Sequence, residues 1–83
     1  MSEEQLLNTE QFYLRRLIEK TEEELINIRV QCFIYLRESL NPKHIGKAEA
    51  EEKLGQYQKR EKYLEENIQV YYEYAKHREY ENL

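Results

Sequence analysis

Aspartate is absent from this 83-residue chain, proline occurs once and glycine twice. All 17 acidic residues are therefore glutamate. Asp, Gly and Pro compete with or break a helix, so their scarcity favours helix over most of the sequence. The single cysteine, Cys32, excludes an internal disulfide. With no Cys/His cluster around it, there is also no zinc pattern. No run of about 18 apolar residues is present, which excludes a membrane-spanning helix. The N-terminal Met-Ser-Glu-Glu-Gln is acidic and lacks an apolar stretch, so no signal peptide is expected and the cytoplasm is the default location.

What remains is a chain that is 40% hydrophobic and 36% charged, with a formal net charge of -4. That mixture is too apolar and too well patterned for disorder. Its acidic balance argues against a protein whose main task is coating nucleic acid. One domain spanning 1–83 is the natural reading at this length. So short a chain buries a limited share of its surface and needs a metal, disulfides or a partner to add more. With the first two unsupported, association is the expected source.

Pro42 divides the chain near its midpoint. The first segment opens with Ser2 three residues before Gln5, a capping-box spacing, and Thr9 offers a second cap. Heptads with Gln11, Ile18, Leu25 and Cys32 at one core position place Leu7, Leu14, Thr21, Ile28 and Tyr35 at the other. Leu17 and Leu36 flank this seam. The pattern predicts a packing stripe over about five heptads.

A rival reading covers residues 26–36. There Ile26, Ile28, Val30, Cys32, Ile34 and Leu36 alternate with Asn27, Arg29, Gln31, Phe33 and Tyr35, the period of a half-buried strand. No turn residue separates the run from Glu19–Glu24, and a single strand has nothing to pair with in this chain. Helix is the reading adopted.

Asn41-Pro42 suits the start of a new helical turn, and Gly46 allows the backbone to redirect. In the second segment Ala50, Leu54, Tyr57, Leu64, Ile68, Tyr71 and Ala75 recur at helical spacing, with Glu61 interrupting and Gly55 weakening the stripe. Glu49 with Lys53 and Lys62 with Glu66 are spaced for surface ion pairs.

The expectation is an all-α fold of two long antiparallel helices, a helical hairpin, with helix 1 over about 3–40, a bend at 41–46 and helix 2 over about 47–81. Phe12, Tyr13, Ile26, Val30, Phe33, Ile34, Tyr63, Val70 and Tyr72 fall outside the seam. A homodimer that forms a four-helix bundle would cover them.

The function expected is non-enzymatic: an oligomeric protein-protein interaction module, adaptor or regulator, whose partners are itself and another protein. No Gly-rich phosphate loop, Ser/His/Asp set or Glu-x-x-His motif is present, and no cofactor or metal is expected. Partner-binding candidates are Phe12, Tyr13 and Arg16 near the N-terminus, with Tyr72, Tyr74, Lys76 and His77 near the C-terminus. Tyrosine offers flat contact area with a polar end, which suits interfaces. The plainer reading makes these tyrosines a bundle rim. Nucleic-acid binding through basic and Tyr surfaces of an oligomer is the alternative, though interleaved glutamates dilute its field. A small anionic ligand at Lys43, His44 and Lys47 by the bend is another.

Overall fold

The computed structural model describes residues 3–41 and 46–80. Helix α1 runs Glu3–Ser39 and helix α2 runs Lys47–His77, and they pack against each other as a hairpin. The stretch 26–36 is helix throughout. The Ser2 cap, the bend residues Pro42, Lys43 and His44, and the side chain of Leu7 lie outside the described residues and side chains. Thr9 caps nothing: it sits within α1, and its hydroxyl donates to the Gln5 carbonyl one turn back at 2.9 Å.

The seam follows the heptads. Ile18, Thr21, Leu25 and Ser39 are buried on α1, and Ala50, Leu64 and Ala75 on α2. Leu14, Ile28, Cys32 and Tyr35 on one side and Leu54, Tyr57, Ile68 and Tyr71 on the other are half-buried between them. Thr21 and Ser39 satisfy their hydroxyls on their own helix, donating to Leu17 and Leu36 carbonyls at 2.8 Å each. Near the bend the rings of Tyr35 and Tyr57 stack across the seam, 5.6 Å apart and 15° from parallel.

Glu61 does not interrupt this stripe as the sequence pattern implied. It occupies a half-buried seam position, four residues after Tyr57 and three before Leu64, and its carboxylate accepts from Arg29 Nε at 3.3 Å.

Helix α2 stops four residues earlier than expected. Arg78 still bonds to the Tyr74 carbonyl, but Glu79 then takes a left-handed conformation, φ 58°. This lets the Glu79 amide reach Lys76 O at 3.1 Å and the Tyr80 amide reach Ala75 O at 2.9 Å, satisfying two of the last free carbonyls. Gly46 precedes α2 without a side-chain cap bond.

The result is a rod with extents of 63 × 17 × 16 Å. Its radius of gyration, 18.2 Å, exceeds the roughly 12 Å of a compact domain of this length.

Candidate interaction surface

Which residues face outward is set by the register of the hairpin. Tyr35 meets Tyr57, Arg29 meets Glu61 and Glu65, Glu22 meets Tyr72, and Glu10 meets Tyr74. Two rows of polar contacts flank the seam. On one flank Glu10 and Glu24, two heptads apart, face Tyr74 and Arg60, also two heptads apart. On the other, Glu22 and Arg29 face Tyr72 and Glu65, each pair one heptad apart.

These contacts are well made but exposed. Arg60 reaches Glu24 at 2.6 Å and Arg29 reaches Glu65 at 2.9 Å. Exposed pairs of this kind contribute about 0–1 kcal/mol each, so they set the register more than they stabilise it. The Glu65 carboxylate is the main reason the Arg29 guanidinium is held even more firmly protonated than usual. The expected Glu49–Lys53 bridge forms at 3.7 Å. Lys62 and Glu66 make none among the described residues.

At the end of the rod away from the bend, Glu10 is the hub. It accepts from the Tyr74 hydroxyl and from Arg78 Nη2 at 3.4 Å. The Tyr74 hydroxyl, then the Tyr80 hydroxyl and Arg78, hold its carboxyl below the usual range. The Tyr80 hydroxyl is enclosed here without an aligned hydrogen-bond partner among the described residues. Hydrogen bonding to Glu10 raises the Tyr74 phenol in turn, and Glu22 does the same to Tyr72 through a 2.8 Å bond.

Of the candidate partner-binding residues, the hairpin gathers both groups at one end but not on one strip. Tyr72 and Tyr74 lie on opposite flanks of the seam, each bonded to a glutamate of α1. Phe12 and Tyr13 are exposed, with rings edge-to-face at 5.5 Å. Arg16 pairs with Glu19 at 3.3 Å. Lys76 and His77 are exposed in the last turn of α2. Lys47 is exposed at the start of α2, while Lys43 and His44 lie outside the described residues.

A shallow recess of about 220 Å³ near the bend is lined by Tyr35, Glu38, Gly46, Glu49, Ala50 and Lys53. Two carboxylates against one ammonium give it little attraction for an anion. Cys32 is half-buried, and burial pushes its thiol pKa up, the opposite of what a reactive cysteine needs. Among the described residues no group of three His, Cys or Glu side chains could hold a metal ion. No helix among them is long and apolar enough to cross a membrane.

The most extended feature is apolar. Ile26, Val30 and Phe33 run along the face of α1 turned away from α2, and Leu40 follows just past its end; they are exposed by 60, 50, 67 and 72%. Leu36 adds to their edge. On the opposite flank Tyr63 and Val70 are exposed on α2, but Arg60 lies over the Tyr63 ring at 5.1 Å. Of the residues expected outside the seam, Ile34 alone is half-buried; the others are exposed.

Set against known protein families, curated proteins and solved structures, the chain matches none.

Proposed function

We propose that this chain is a non-enzymatic interaction module: a helical hairpin that pairs with a second copy into a four-helix assembly and presents the assembled surface to another protein, as an adaptor or regulator does. The observation that carries this reading is the mismatch between a thin interior and a greasy exterior. Among the described residues the buried apolar side chains are Ile18, Leu25, Leu64 and two alanines, whereas thirteen large apolar or aromatic residues stand exposed.

Surface area supports the same reading. A compact protein of 10.3 kDa exposes about 5,400 Å², and this chain exposes 6799 Å². The excess is of the order that one partner contributes to a standard interface, about 800 Å², with room to spare. Ile26, Val30, Phe33 and Leu40 would each contribute about 1.5–3 kcal/mol on full burial, and half or more of that is still ungained. Counted over two copies, the gain is comparable with the roughly 4–15 kcal/mol that association costs. These four side chains alone therefore do not bring association to nanomolar strength, and contacts from the rest of the face must add to them.

Nucleic-acid binding is less well supported. Arg29, Arg60 and Arg78 are engaged by glutamates of the facing helix, which leaves fewer cations for phosphate. Phe12, Tyr13, Lys76 and His77 remain open at one end of the rod for a different protein.

Sedimentation equilibrium between about 1 and 100 μM tests the central claim. A mass that rises to twice 10.3 kDa over this range is expected. A folded monomer throughout would remove the assembly and the proposed role with it.

A further inference from the structure

We infer that the second copy docks along the outer face of α1, antiparallel to the first, with the two-fold axis passing Val30. This rests on the self-association proposed above and adds its face, direction and register: because that face points away from α2, the four helices lie in a row with the two copies of α1 at its centre, not around one shared core.

Residues 23, 26, 30, 33, 37 and 40 follow alternating steps of three and four, a second heptad stripe on α1 separate from the seam. It reads Glu, Ile, Val, Phe, Arg, Leu, so a negative end and a positive end bracket three apolar side chains, with Leu40 beyond. Neither Glu23 nor Arg37 has an ion-pair partner among the described residues, although Arg16, Arg29, Arg60 and Arg78 all do.

Reversing one copy on the other about Val30 makes this stripe self-complementary. Val30 meets Val30 of the second copy, Glu23 meets Arg37 twice over, once on each side of the axis, and Ile26 comes within one residue of Phe33. A parallel pairing would oppose Glu23 to Glu23 and Arg37 to Arg37. Like charges across an interface are costly and orient its partners. The opposite flank of the hairpin offers no such pattern: Arg60 covers Tyr63, and the Tyr74 hydroxyl is bonded to Glu10.

Two sets of variants test the arrangement, the first by sedimentation and the second by disulfide crosslinking. Glu23→Arg alone, or Arg37→Glu alone, turns both ion pairs into repulsions and should raise the dimer Kd about tenfold or more. Combining both changes in one chain should restore it. Mixing the two single variants should yield a heterodimer tighter than either homodimer, because every pair is again opposite in sign. In a parallel dimer each single change only exchanges one like-charge pair for another, so neither homodimer would weaken.

The second set is Val30→Cys with Cys32→Ser, beside Asn27→Cys with Cys32→Ser. Facing Cα atoms on helices packed at about 8–10 Å come within disulfide reach. Mild oxidation should link chains carrying Val30→Cys quickly and chains carrying Asn27→Cys slowly. A wild-type dimer that ignores the charge swaps, or that crosslinks no faster through position 30 than through 27, overturns this register while leaving self-association standing. A wild-type monomer at 100 μM overturns both.

Discussion

Replacing Gly55 by alanine should make the hairpin more stable, and the expected size follows from its place in α2. The residue lies in the helix interior, and its φ is not in the left-handed region that would demand glycine. A Cβ built there meets nothing within 4 Å, so neither the facing helix nor its own neighbours would have to move. The substitution then acts on the backbone. Glycine in a helix interior is about 0.8–1.0 kcal/mol less favourable than alanine, chiefly because the unfolded chain loses more freedom at glycine. For a domain of this size 1 kcal/mol corresponds to about 4–8 °C in Tm. Thermal unfolding followed by circular dichroism at 222 nm, at a fixed protein concentration, reads the shift directly. An unchanged Tm would refute the view that position 55 acts through local propensity. A fall in Tm that deepens with protein concentration would show that another chain approaches closely here.

Three further outcomes follow from the seam and its ends. Leu64→Ala removes one of the few fully inward large side chains and should lose about 2–5 kcal/mol, enough by urea titration to leave much of the chain unfolded at room temperature. Glu61→Leu fills the half-buried seam position with an apolar side chain while Arg29 keeps Glu65, so a net gain of about 1 kcal/mol is expected in the same titration. The Glu10 carboxyl titrates below its unfolded value, so its contribution is present above that value and is lost as pH falls through the lowered folded one. Wild type should therefore lose its Tm advantage over Glu10→Gln on acidification from pH 6 to pH 3, and an advantage unchanged across that range would contradict the assigned cause.

The two helices and the faces they share were legible because a heptad pattern needs only local spacing. Ile18, Leu25, Leu64 and Ala75 fall on the seam as their spacing predicts. The strand-like alternation of residues 26–36 has a simple helical origin. Residues two apart on a helix lie about 200° apart, so apolar stripes on opposite faces of α1 give an apolar residue at every second position. Ile28 and Cys32 belong to the inner stripe, and Ile26 and Val30 to the outer one.

What could not be read was the relation between the helices. The pairs Tyr72–Glu22 and Arg60–Glu24 depend on how far the bend slides one helix along the other, and no local pattern encodes that shift. The same register places Tyr72 and Tyr74 on opposite flanks, although both stand in one short tyrosine-rich run. Glu61 looked like a defect because the arginine that meets it is 32 residues away. The end of α2 also gave no signal, since its reversal uses a glutamate where glycine is usual.

That glutamate has a dynamic consequence. A left-handed backbone is about 1–2 kcal/mol unfavourable for a residue with a Cβ, so Glu79 holds it only while the reversal returns something. Here the return is the Tyr80 amide on Ala75 and the enclosed hydroxyl of its half-buried side chain. Release of Tyr80 would relax Glu79 into ordinary helical geometry and let the coil wind onward past His77. The length of α2 is thus tied to the seating of that one tyrosine.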